Sequence, residues 1–306
     1  MSDEITPQVV DDLTETHDFS RTLKDVLSGT AGGIAQVIVG QPFDITKVRL
    51  QTSPVPTTAM QVIKNLIKNE GVLAFYKGTL TPLVGVGICV SCQFGVNESM
   101  KRYFHQKNNT VHNTLTLPQY YMCGFVSGWS NAFLASPIEH VRIRLQLQTK
   151  ALEHAEYRGS IDCIKKLIAE GGVTGGLMRG LTATMLRTSH GFGVYFLTYE
   201  ALILSEASRG VKREDIPAWK LCGFGALSGA LLWAMVYPFD VIKSVMQADK
   251  LKNPVHGRNV LQVAKYIYGQ GGISTFFKGF GPTMLRSLPV NGATFATFEL
   301  TMRLLG

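Results

Sequence analysis

Three stretches gather the charged residues of an otherwise apolar chain: PFDITKVRLQ from Pro42, PIEHVRIRLQ from Pro137 and PFDVIKSVMQ from Pro238. Each reads proline, any residue, acid, two residues, base, then glutamine four further on. The couples are Asp44 and Lys47, Glu139 and Arg142, Asp240 and Lys243, with Gln51, Gln146 and Gln247 behind them. Such groups hold no nucleophile with a base and no metal-ligand spacing, so their chemistry is ion pairing. Within one helix an i,i+3 pair is worth only a few tenths of a kcal/mol. Three copies at one depth of a three-fold bundle permit more, because a proline kink swings each helix end inward toward the next repeat. The spacing predicts a ring of Asp44 with Arg142, Glu139 with Lys243 and Asp240 with Lys47, braced by the glutamines one turn later. A ring of this kind closes a path and remains breakable, as a gate must be.

Two lone cations suggest a second chemistry. A short motif ends at Gly78 (FYKG), Gly180 (LMRG) and Gly279 (FFKG), and seven residues past each lie Gly85, Arg187 and Arg286. Equivalent positions thus hold two arginines and one small residue, a break in symmetry where an asymmetric solute would bind. The guanidinium fork matches a carboxylate, and a cation at membrane depth usually faces a polar cavity. The competing reading is that each arginine snorkels or pairs with a ring acid.

The elements that position these residues follow from composition and repetition. Of 306 residues, 45% are hydrophobic and only 17% charged, with 31 glycines. Val26–Phe43, Gly78–Asn97, Asn108–Ile138 and Leu221–Phe239 carry no Asp, Glu, Lys or Arg and have lengths suited to crossing a bilayer. Segments near 181–204 and 280–305 are apolar apart from Arg187 and Arg286. The proline motif recurs 95 residues on (42 to 137) and 101 further (137 to 238). GxxxG pairs precede it at Gly29/Gly33, Gly124/Gly128 and Gly225/Gly229, a pattern that brings membrane helices close. Twenty residues past each motif glycine stands an acid: Glu98, Glu200 and Glu299.

The expected fold is all-α: six transmembrane helices in a pseudo-three-fold bundle, with three short amphipathic connector helices on one side. TTAMQVIKNLIKNEG, with Met60, Val62, Ile63 and Ile67 spaced among lysines, is such a connector. An acidic tail over 1–20 precedes repeats at 21–110, 111–207 and 208–306. The tail is the opposite of an Arg-rich transit peptide, so any address is expected inside the chain.

The triplicated Px[DE]xx[KR]x[KR]xQ motif, followed by [FY][KR]G, resembles the mitochondrial carrier family over residues 20–306. The resemblance implies a monomeric, multi-pass transporter of the mitochondrial inner membrane with alternating access, both termini facing the intermembrane space. It makes the ring the matrix gate, and places substrate contacts at Gly85, Cys89 and Gln93 on the second span, Arg187 and Thr188 on the fourth and Arg286 on the sixth. A weaker cytoplasmic-side network would use Glu98 with Lys101, Glu200 and Glu299. Ile203 and Met302 stand where its other bases belong, with Arg303 one residue further on. Lipids, cardiolipin among them on the matrix side, are the implied neighbours.

LRSLPVNGATF (Leu285–Phe295) resembles the carnitine/acylcarnitine and basic-amino-acid branch, and within it fungal carriers of organic acids and glutamate. Thr188 stands where that branch commonly has an acid to meet a substrate ammonium. This favours a glutamate-like or keto-acid substrate, exchanged for a counter-substrate or moved together with a proton, with carnitine and basic amino acids as alternatives. His190 is a candidate proton carrier, though a lone helix histidine is more often simply hydrogen-bonded. The net charge of +8 comes without a basic block, so no nucleic acid is expected. The five cysteines read as reduced packing thiols; CxxC at Cys89 and Cys92 lies in an apolar helix. No cofactor, metal or enzymatic motif is present in the sequence. A scaffold or lipid scramblase would leave Arg187 and Arg286 without purpose.

Overall fold

The computed structural model describes residues 19–53, 55, 57–108, 115–148 and 156–305. The acidic tail lies outside the described residues as far as residue 18. Among the described residues every regular element is helical: α1 (Phe19–Thr52), α2 (Ala59–Glu70), α3 (Leu80–Asn108), α4 (Leu117–Leu147), α5 (Ser160–Gly171), α6 (Leu181–Ala207), α7 (Ala218–Ala248), α8 (Val260–Gly271) and α9 (Phe280–Leu304). Long helices alternate with short connectors, α2, α5 and α8, each followed by a brief tighter or wider helical turn.

The chain divides into two compact units, residues 1–40 with 286–306, and residues 41–285. In the first, α1 and α9 approach closely: a Cβ added at Gly40 would lie 2.9 Å from Nε of Arg286. In the second, α4 packs on α3, α6 and α7, and α6 packs on α7.

Each connector is an amphipathic helix pressed onto the helix before it. Thr58 caps α2 reciprocally with Gln61, which satisfies two otherwise orphaned donors. Leu66 then packs with Ile45, Ala74 and Phe75, and Val62 is buried too. Of the expected apolar residues Val62 is buried and Ile63 packs against the cluster, whereas Met60 and Ile67 are exposed and Leu66 is buried in their stead. Cys163 and Leu167 of α5 pack with Val141, Leu145 and Tyr157, and Val263 and Ile267 of α8 with Val241, Ile242 and Val245. Three small cores thus anchor the three charged stretches.

The glycine ending each FYKG-like motif has φ of 77°, 82° and 83° at Gly78, Gly180 and Gly279, the left-handed region that a side chain rarely adopts. There is little room for a side chain either. An added Cβ would lie 3.2 Å from the Arg142 carbonyl at Gly78, 2.8 Å from Gln247 Cγ at Gly180, and 3.1 Å from the Tyr237 hydroxyl at Gly279. The bases beside them reach the same helix ends: Lys77 donates to the carbonyl of Gln148 at 3.1 Å and Arg179 to that of Met246 at 2.8 Å.

The helices differ in length and apolarity, and one expectation about their packing needs correction. Among the described residues only Trp219–Ala248 is long and apolar enough to pass as a span by itself. Gly, Ser, Asn, Gln and the ring charges dilute the others, as polar faces turned toward neighbouring helices would. Close GxxxG packing also holds in one copy of three. A Cβ on Gly124 would meet the Phe192 carbonyl at 2.4 Å and one on Gly128 the Thr188 carbonyl at 2.3 Å, whereas Gly29, Gly33 and Gly229 face nothing within 4 Å.

Candidate functional site

Pro42, Pro137 and Pro238 all lie inside helices that continue past them. The acid and base one turn on are carried by α1, α4 and α7. Asp44 Oδ2 lies 2.6 Å from Arg142 Nη2, Glu139 Oε2 lies 2.6 Å from Lys243 Nζ, and Asp240 Oδ2 lies 2.8 Å from Lys47 Nζ. Each pair joins different helices, and together they link α1 to α4, α4 to α7 and α7 back to α1. Lys47 also rests over the Trp233 ring, 4.7 Å from its centroid.

The glutamines behave unequally. Gln51 Nε2 donates to Asp240 at 2.8 Å and to the Tyr237 hydroxyl at 3.3 Å, bracing the Lys47–Asp240 pair. Gln247 instead donates to backbone, the carbonyls of Ser136 at 3.4 Å and Arg179 at 3.3 Å. Gln146 is fully buried with no side-chain hydrogen bond among the described residues, its Cγ against Gly78. Among the described residues the bracing expected of Gln146 and Gln247 is therefore absent, and Gln247 is pressed against Gly180 instead. A residue the spacing did not reveal serves the Asp44–Arg142 pair. Gln41 accepts from Arg142 at 2.6 Å and donates to the Lys77 carbonyl at 2.9 Å. The residue before each proline is Gln41, Ser136 or Tyr237, so no repeat signal marks it.

Arg187 joins the ring. Its Nη2 lies 2.7 and 2.9 Å from the two oxygens of Glu139, and its Nη1 lies 4.0 Å from Asp240. The sequence suggested an arginine held toward solute; here it pairs with a ring acid. Lys47, Asp240, Arg187, Glu139 and Lys243 form one continuous cluster in which three cations face two carboxylates.

Other expected contacts are differently placed. Thr188 is buried, its hydroxyl donating within 2.8 Å of the carbonyls of Gly128 and Thr184. One residue past Arg187 is about 100° around the helix, which turns Thr188 onto α4 rather than toward a solute. Gly85 is covered by Ile138, whose Cδ1 would lie 2.6 Å from an added Cβ. Cys89 and Gln93 are half-buried further along α3. His190 Nδ1 is 2.6 Å from the Tyr121 hydroxyl, and its ring stacks on Phe239. Arg286 belongs to the other compact unit, beside Gly40.

At the opposite helix ends the acids take local partners. Glu98 pairs with Lys101 at 2.7 Å within α3, and Glu200 with Arg213 at 3.1 Å. The Glu299 side chain lies outside the described residues. Glu206 pairs with Lys220 at 2.8 Å, and like Glu200–Arg213 this joins the second repeat to the third, though neither is the acid–base pairing that the motif implies.

Outside the spans, Glu70 of α2 accepts from Arg49 at 2.5 and 3.0 Å and from Lys77 at 2.6 Å. Burial alone would raise its pKa, but hydrogen bonds and charge from the two bases outweigh burial and hold the carboxyl below its ordinary value.

Three-fold ion pairing between membrane-compatible helices, stapled by connector helices, defines a solute carrier. The family model described as mitochondrial carrier protein matches residues 19–108, 113–204 and 214–306, and the chain belongs to that family. It is a multi-pass transporter of the mitochondrial inner membrane and not an enzyme. It is 64% identical to the mitochondrial glycine transporter YMC1 of Saccharomyces cerevisiae, with 100% of each chain covered. It is 46% identical to the glutamate/glycine mitochondrial carrier ymc1 of Schizosaccharomyces pombe over 92% of this chain and 94% of that one. It is 36% identical to the human mitochondrial basic amino acids transporter over 91% of this chain and 89% of that one.

Proposed function

We propose that this carrier moves a small amino-acid-type carboxylate by alternating access, with Arg187 receiving the carboxylate and the ion-pair ring acting as the matrix gate. The observation that carries this reading is the cluster in which Lys47, Arg187 and Lys243 outnumber Asp240 and Glu139. A sheltered cluster with one excess cation favours an anionic group, and Arg187 is its fork-shaped member. An arriving carboxylate takes Arg187 from Glu139, while Glu139 keeps Lys243. That exchange loosens the tie between α4 and α6 without stranding a buried charge, the outcome that would be costly. Cys89 and Gln93 are further contacts along α3 in this reading.

The names of the two fungal relatives, glycine and glutamate/glycine, support an amino acid. The excess of cations disfavours a basic amino acid, whose added positive charge would meet like charge. The test is purified protein in liposomes, with labelled glycine, glutamate, a keto acid, lysine and carnitine outside and unlabelled solute inside or absent. Saturable uptake of glycine or glutamate, faster when solute is preloaded, is expected. Saturable uptake of lysine or carnitine alone, or of none of the panel, would overturn the reading.

A further inference from the structure

We infer that Glu139 is the receptor for the substrate's ammonium group, so that the Arg187–Glu139 pair reads an α-amino acid and discriminates against acids lacking that group. The inference rests on the preceding assignment of the carboxylate to Arg187.

Glu139 and Arg187 present opposite charges one hydrogen-bond length apart, at 2.7 and 2.9 Å. An α-amino acid carries the same two charges on groups joined through a single carbon. Placed between them, it gives its carboxylate to the guanidinium and its ammonium to Glu139, replacing one buried ion pair by two. A keto or hydroxy acid fills only the first contact and removes Arg187 from Glu139 with nothing in return.

Accessibility and chain chemistry single out this acid. Side-chain exposure is 27% for Glu139, against 16% for Asp44 and 4% for Asp240. Among ring acids the most open is thus the one on Arg187. It is also the odd one in the repeat: the first and third copies have aspartate and the second has glutamate. The extra methylene lets Glu139 touch Arg187 and Lys243 at once. Neighbouring polar groups are committed elsewhere: the Thr188 hydroxyl to backbone, His190 Nδ1 to Tyr121, and Asp240 to Lys47 and Gln51. A carboxylate offers about four acceptor positions, so Glu139 can exchange a guanidinium for an ammonium while retaining Lys243.

The test compares glycine with glycolate, which differs in having a hydroxyl for the ammonium. Binding is read from the ligand-dependent rise in melting temperature of the full-length protein in detergent, and from inhibition of labelled uptake in liposomes. The wild type is expected to prefer glycine by at least about tenfold. Glu139→Gln should bind the two equally, and Glu139→Asp, whose shorter reach weakens the tie to Arg187 but whose carboxylate can still take an ammonium placed between them, should keep the preference. Arg187→Ala should bind neither. Equal affinity of the wild type for both ligands, lost in Arg187→Ala, would overturn the ammonium assignment and leave the carboxylate assignment standing. A glycine preference that survives Glu139→Gln would do the same. Unchanged binding of both ligands to Arg187→Ala would overturn the carboxylate assignment and the inference with it.

Discussion

Arg187 on α6 holds both oxygens of Glu139 on α4, two residues past Pro137. The group that repeat symmetry singles out for solute is therefore already wired into the ring of ion pairs. On the proposed function, recognition and gating share one acid, and a solute that takes Arg187 also alters a tie between helices.

The ring pairs lend themselves to charge exchange. Asp44→Lys faces Arg142 with a like charge, and Arg142→Asp faces Asp44 with another, so each single change should abolish uptake. The double change restores opposite charges at the 2.6 Å contact and should recover part of the activity. Coupling of about 1 kcal/mol or more across the cycle is expected for residues in contact. Additive defects would show that this pair does not operate during transport.

Helix contact through Gly128 gives a stability prediction. Gly128→Ala sets a methyl 2.3 Å from the Thr188 carbonyl, whereas Gly229→Ala meets nothing within 4 Å. Overpacking costs roughly 1–3 kcal/mol, so the first variant should melt well below wild type. The second should match or exceed it, since alanine is the better helix former by roughly 0.5–1 kcal/mol. Equal melting temperatures would contradict the close α4–α6 contact.

Much of this arrangement was legible in the sequence. The period of the proline motif located the ring residues, because acid, base and glutamine recur at fixed offsets. What the spacing could not supply was reach between helices that are not equivalent. Arg187 has no charged counterpart at Gly85, so repetition does not say whether it meets solute or Glu139. Gln41 and Asp249 act through positions that differ in each repeat; the backbone amides of Lys250, Val255 and His256 donate to the Asp249 carboxylate. The motif gives Thr188 only a place in the repeat, while its burial follows from the glycine facing it across the helix contact. The GxxxG pattern was present three times, yet only the copy facing α6 needs its small residues.

Acid should weaken the first repeat through Glu70. Its carboxyl is held below the ordinary value of 4.5 in the folded protein. The sign follows: the Arg49–Glu70–Lys77 contribution is fully present above the unfolded value and is lost as pH falls through the lower folded one. Melting curves from about pH 7 down to about pH 4 should show the gap between wild type and Glu70→Gln narrowing on acidification. A gap independent of pH would show that the pairing does not contribute.

Uptake by Arg187→Ala, measured beside its melting temperature, tests the central claim most directly. The substitution leaves no acid stranded, since Glu139 keeps Lys243 at 2.6 Å and Asp240 keeps Lys47 at 2.8 Å. The protein should therefore fold and reach liposomes intact. Loss of a charge-assisted contact in a sheltered site is worth on the order of 2–5 kcal/mol. Uptake of labelled glycine or glutamate should accordingly fall by at least about thirtyfold, with a melting temperature close to wild type. Near-normal uptake by the folded variant would contradict the account, because Arg187 would then be a structural member of the ring and nothing more.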